Sequence, residues 1–85
     1  MTNFSQEIIG IQVAPDFTNA IKLQELLTIY GNIIKTRLGL NHLDDVDPGL
    51  KAIIILELYG DMDQINIFKN ELLAVEGLKL GTMSF

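Results

Sequence analysis

Apolar and polar positions alternate from Gln6 to Val13, where Ile9, Ile11 and Val13 are separated by Gly10 and Gln12. That period of two predicts a strand with one buried face, and it leaves Ile8 on the other. Ala14-Pro15-Asp16 ends the strand, because proline has no N–H to give to a ladder. Phe17, Ala20, Ile21, Leu23, Leu27 and Ile29 then recur at roughly helical spacing and predict a helix of about three to four turns. Asp16 stands at its N-cap position, and Tyr30-Gly31 closes it with Gly31 in the left-handed conformation. Ile33 to Gly39 reads as a second strand. Its period places Ile34, Thr36 and Leu38 toward the helices and Ile33, Lys35 and Arg37 away from them. Residues 40–50 are rich in turn formers and predict the connection of a long hairpin.

The stretch from Lys51 to Tyr59 breaks the alternation. Ile53, Ile54 and Ile55 are consecutive, and the segment is apolar on both faces until Glu57. Such a run predicts a central strand that is covered on both sides. Asp61 with Gln64 three residues on predicts a capping box. Ile65, Phe68, Leu72 and Val75 come next at helical spacing, Lys69 and Glu71 lie on the wetter side, and Gly77 closes the helix in the left-handed conformation. The last strand, Leu78 to Phe85, changes phase between Leu80 and Met83, which predicts a bulge at Gly81.

The order β-α-β-β-α-β predicts a ferredoxin-like α+β sandwich, one domain over residues 1–85. Right-handed crossovers put both helices on one face of a four-stranded antiparallel sheet, with the first and third strands central. The helices then cover one face only, and an uncovered isoleucine forgoes roughly 1.5–3 kcal/mol. The surplus, Ile53 and Ile55 or else Ala52, Ile54 and Leu56, predicts a homo-oligomer, a dimer or tetramer built on that face or along the sheet edge, with Ile33, Ile53 and Ile55 as the interface residues.

Composition narrows the function. Apolar residues make up 48% of 85, enough for a globular domain near the lower size for a self-sufficient core. There is no cysteine, which excludes disulfides and thiolate chemistry and suits a reducing cytoplasm. No apolar run reaches the roughly 18–20 residues of a membrane helix, and the N-terminal stretch lacks the basic flank of a signal peptide. A net charge of -5 argues against direct nucleic-acid binding.

Candidate chemistry is sparse. His42 lies near Asp44, Asp45 and Asp47, but that spacing matches no EF-hand and reads as a solvated turn, so no metal or cofactor is expected. Lys35 and Arg37 beside Glu57 read as cross-strand ion pairs, worth about 0.2–1 kcal/mol each, ahead of an anion site. No nucleophile triad, glycine-rich phosphate loop or carboxylate dyad is present. The loop after the first strand lacks the arginine of an acylphosphatase, and the central strand carries isoleucines where an RNA-recognition motif carries aromatics.

Five segments resemble a known family: Ile9-Gly10-Ile11-Gln12-Val13, Leu26-Leu27 before Tyr30-Gly31-Asn32-Ile33, Ile34 to Gly39, Ala52 to Leu56, and Val75 to Leu80. Together they resemble ACT-type domains, and more narrowly the short free-standing regulators of the iron-only hydrogenase system, which are related to the C-terminal domain of nickel-responsive regulators. The resemblance spans Ile8 to Met83, and Arg37-Leu38-Gly39 and Val75-Glu76-Gly77 are its more telling pieces. It implies a non-enzymatic, cytoplasmic, ligand-sensing module that acts on transcription as an oligomer, linked to hydrogenase assembly. A small anion or amino acid would bind at a subunit junction, with Asp16, Arg37 and Gly39 as contacts. The histidine and cysteine ligands of the nickel-responsive regulators are missing, which speaks against nickel. Pro15-Asp16-Phe17 also replaces the glycine that many amino-acid-binding ACT domains place after the first strand. Two other readings remain: a small dimeric monooxygenase or isomerase with His42 as general base, and an assembly domain without a ligand.

Overall fold

The computed structural model describes residues 3–14, 16–40 and 51–85. The chain runs β1 (Phe4–Val13), α1 (Ala20–Ile29), a 3-10 turn (Gly31–Ile33), β2 (Ile34–Leu40), β3 (Ala52–Asp61), α2 (Met62–Leu73) and β4 (Leu78–Ser84). The strands form one antiparallel sheet in the order β2-β3-β1-β4, so β1 and β3 are central as expected. This is the α+β ferredoxin-like arrangement. His42, Asp44, Asp45, Asp47 and Pro15 lie outside the described residues.

The core forms where the alternation of β1 meets that of β3. Ile9 and Ile11 stand opposite Leu56 and Ile54, under Leu23, Leu26 and Leu27 of α1 and Ile65, Phe68 and Leu72 of α2. Phe68 is fully buried and stacks on Tyr30 with ring centroids 4.9 Å apart. Asp61 caps α2 by accepting from the Asp63 N–H at 2.8 Å. Gln64 does not complete the box: its amide donates to Asn32 Oδ1.

Several local expectations are corrected. Helix α1 starts one turn later than Asp16, with Asn19 as its N-cap residue and no side-chain cap bond. Gly31 continues into the 3-10 turn, and Gly77, at φ 96°, is the positive-φ glycine among the described residues. Ile21 and Ile29 point outward from α1. Strand β4 pairs with β1 without a register break, so no bulge occurs at Gly81. Its change of phase arises because Leu78 and Leu80 pack against the core, whereas Met83 takes the opposite face.

The bulge lies in β2 instead, between Ile34 and Thr36. The extra residue, Lys35, reverses the phase of the rest of the strand. Ile34 pairs with Leu58 on the helix side, and Thr36, Leu38 and Leu40 turn to the open face. Ile33 precedes the strand and is only 2% exposed, so it belongs to the core and not to an interface. It fits because Gly60 passes against it; a Cβ on Gly60 would come within 2.8 Å of Ile33 Cγ2.

Candidate functional site

Two places on the molecule concentrate unusual features. The first is a cleft of about 330 Å³ lined by Asp16, Phe17, Thr18, Asn19, Glu76 and Gly77. The chain forms it by tying the exit of β1 to the entry of β4. Ala14 N–H donates to the Gly77 carbonyl at 3.1 Å, and Asn19 Nδ2 donates to the Glu76 carbonyl at 3.2 Å. Gly77 serves this junction twice. Its positive φ suits glycine, and a Cβ there would meet the Phe17 ring at 2.9 Å. The ionisable side chains in the wall are Asp16 and Glu76, both acidic, so the cleft by itself repels an anion.

Arg37 and Gly39 are not part of that wall. They lie exposed on β2, paired with Leu56 and Ile54 of β3, whereas Asp16 lies beyond β1 on the β4 side. One chain therefore does not bring the three residues together. Neither Lys35 nor Arg37 pairs with Glu57. Lys35 Nζ donates to the Asn32 carbonyl at 3.1 Å, a consequence of the bulge. Glu57 accepts from Thr36 Oγ1 at 2.9 Å and from Gln6 Nε2 at 3.1 Å.

The second place is the face of the sheet opposite α1 and α2, which no helix among the described residues covers. Ile53 and Ile55 of β3 lie on it, as their alternation with the buried Leu56 and Leu58 requires. They are flanked by Ile8, Gly10 and Gln12 of β1, by Leu38 and Leu40 of β2, and by Gly81 and Met83 of β4. Leu38 is 52% exposed and Met83 is 55% exposed. At one end Phe4 meets Tyr59 edge to face, with centroids 5.5 Å apart. A monomer rarely presents so continuous an apolar surface to water. Sequence reasoning took from the unbroken isoleucine run that one face of β3 is uncovered and offered Ile53 and Ile55 as one of two alternatives for it. It missed Leu38 and Leu40, whose orientation depends on a bulge that leaves no mark in the hydrophobic pattern.

A further pair went unread. Glu7, 5% exposed, accepts from Lys69 Nζ at 2.7 Å on the helix side of the sheet. The signal for it is a glutamate in phase with Ile9 and Ile11, hence on the buried face of β1 and in need of a cation.

Among the described residues no helix is long and apolar enough to cross a membrane, and no group of three or more His, Cys, Asp or Glu side chains is placed to hold a metal ion. No family model and no curated protein matches the chain. Among solved structures the chain is similar to the uncharacterized protein TM1266 from Thermotoga maritima. The two share 24% identity and a TM-score of 0.80 over 96% of this chain and 98% of that one, a likeness that establishes the fold.

Proposed function

We propose that this chain is a non-enzymatic, ACT-like regulatory module of the cytoplasm that acts as an oligomer built on the open face of its sheet. The observation that carries this reading is the apolar surface of Ile8, Leu38, Ile53, Ile55 and Met83, which has no cover among the described residues. Association also gives the sequence-derived ligand contacts a way to meet. Asp16 follows β1 and lines the cleft beside Glu76 and Gly77, whereas Arg37 and Gly39 lie on the edge strand β2 with β3 between, so a ligand touching both sets would sit between subunits. With Asp16 and Glu76 in the cleft, an amino acid offering its ammonium group suits that position better than a simple anion. The chain has 6 Lys and Arg against 11 Asp and Glu, so an effect on transcription, including one tied to iron-only hydrogenase assembly, would pass through a protein partner.

Light scattering at micromolar concentration tests the central claim. The expected result is a dimer or tetramer, and Ile55→Glu should reduce it to a folded monomer, because an unpaired carboxylate does not survive burial in an apolar interface. A wild-type protein that is a monodisperse, folded monomer overturns the proposal. Amino acids that raise the melting temperature of the wild-type oligomer, but not of the Ile55→Glu monomer, would place the ligand at the junction.

A further inference from the structure

We infer that the open face closes on a second copy of this chain about a two-fold axis parallel to the strands between β1 and β3, so that Leu38 and Ile55 of each copy fill a pit over Gly81 and Gly10 of the other. This rests on the self-association proposed above and supplies its geometry.

One row across the open face carries the inference. Leu38 of β2 pairs with Ile55 of β3, Ile55 with Gly10 of β1, and Gly10 with Gly81 of β4. From edge to edge the row reads large, large, absent, absent. The absence is real space, since a Cβ built on Gly10 or on Gly81 meets no atom within 4 Å. Stacked sheets lie about 10 Å apart and are held by side chains that interdigitate, so a half-empty row must be filled from the facing sheet.

A two-fold axis along the strands between β1 and β3 exchanges β4 with β2 and β1 with β3, and keeps each row at its own height. It sets Gly81 against the partner's Leu38 and Gly10 against the partner's Ile55, and the contact is reciprocal as an isologous interface requires. An axis across the strands at the height of this row would stack glycine on glycine and leucine on leucine, leaving a void at one edge and a clash at the other.

The neighbouring rows tolerate the first arrangement. Ile8 comes over Glu57, whose two oxygens already accept from Thr36 and Gln6. Lys79 comes over Leu40 at the rim, where its stem can lie on apolar surface and its ammonium can reach water. Like charges are not superposed in either row. Four strands about 4.8 Å apart and about 25 Å long offer roughly 500 Å² of projected face. A pair then buries on the order of 1,000 Å², the size at which specific interfaces begin.

The test is a size swap read by sedimentation equilibrium. Gly81→Leu should stay folded by far-UV circular dichroism, because its position is open, and should weaken dimerisation at least tenfold. Leu38→Gly should also weaken it, and the double variant should recover most of the wild-type affinity. An undiminished Gly81→Leu dimer, or a double variant no better than the singles, overturns this axis while leaving self-association standing. A monomeric wild type overturns both.

A second measurement does not depend on the swap. The chain has no cysteine, so Leu38→Cys and Gly81→Cys proteins can be mixed and treated with a short bismaleimide. Covalent dimers should form between the two variants and not within either alone, since positions 38 and 81 lie at opposite edges of one sheet. Cross-links formed equally well by each variant alone overturn the proposed axis.

Discussion

Glu7 on β1 and Glu57 on β3 lie on the two central strands of the sheet, face opposite ways, and are satisfied by different means. Glu7 points under α2 and takes a cation from it, Lys69 Nζ at 2.7 Å. Glu57 points to the open face and takes two neutral donors from its own sheet, Thr36 Oγ1 and Gln6 Nε2. On the covered face a carboxylate out of water needs a counter-charge, and the helix that excludes the water also supplies it. On the open face no described residue packs over Glu57, and hydrogen bonds within the sheet suffice. The apolar residues obey the same division. Leu56 and Leu58 are fully buried, whereas Ile53 and Ile55, which precede them on the same strand and face the other way, are only half-covered. The chain thus finishes one face by itself and, among the described residues, leaves the other open.

The largest effect that can break this contrast comes from adjacent residues of one strand. Leu56→Glu places a carboxylate in the core that holds Ile9, Ile65 and Phe68, with the solvent-exposed Arg37 opposite it on β2, and the several kcal/mol this costs is comparable to the roughly 5–15 kcal/mol that holds a domain together. Circular dichroism should show an unfolded chain at room temperature. Ile55→Glu, one position away, should keep the native spectrum. Equal damage from the two substitutions would mean that the faces do not differ.

A smaller effect separates the two glutamates. Lys69→Met leaves Glu7 buried without its partner and should cost about 3 kcal/mol in urea denaturation, at the low end for a broken buried pair because Lys69 keeps some contact with solvent. Glu57→Gln retains an acceptor for Thr36 and should cost less than about 1 kcal/mol. Adding Glu7→Gln to Lys69→Met should recover part of the loss, since the stranded charge is removed. If Glu57→Gln proves the costlier of the two, the open-face carboxylate carries a structural charge that its neutral partners do not explain.

The contrast between the faces also marks how far the sequence could be read. Element order, the central place of β1 and β3, and the core under Ile65, Phe68 and Leu72 come from periodicity, because burial on one side imposes a period directly. The open face was legible only as a surplus, in the three isoleucines of β3. Its composition depends on the bulge at Lys35, which moved Thr36 and Leu38 across the sheet and left Ile33 in the core. A bulge is a choice between two pairings of the same residues, so hydrophobic pattern does not encode it. The cap at Asn19 was hidden for a related reason: tertiary bonds from Ala14 and Asn19 to the β4 turn, not local capping, set where α1 begins. The grouping of Asp16 with Arg37 and Gly39 drew mainly on the resemblance, and within one chain β3 stands between the strand that Asp16 follows and the strand that carries Arg37 and Gly39.

The smallest expected effect belongs to the covered face and is read through pH. Burial holds the Tyr30 phenol above its ordinary range, and the Glu71 carboxylate, which accepts its hydrogen bond and repels the phenolate, raises it further. In the unfolded chain the phenol ionises near about pH 10, while the folded chain keeps the proton to higher pH. Above that value the folded state binds more protons than the unfolded one, so stability falls as pH rises. The contribution is fully present below the unfolded value and is lost as pH climbs through the folded one. Tyr30→Phe keeps the ring on Phe68 and removes the titration. Lysine titrations are common to both proteins and cancel in the comparison. The gap in melting temperature between wild type and Tyr30→Phe should therefore be constant from neutral pH to about 9 and should close as the pH is raised past about 10. A gap that persists unchanged into alkali would show that Tyr30 ionises in the folded chain as it does in the unfolded one, and that this side of the sheet admits more water than its packing implies.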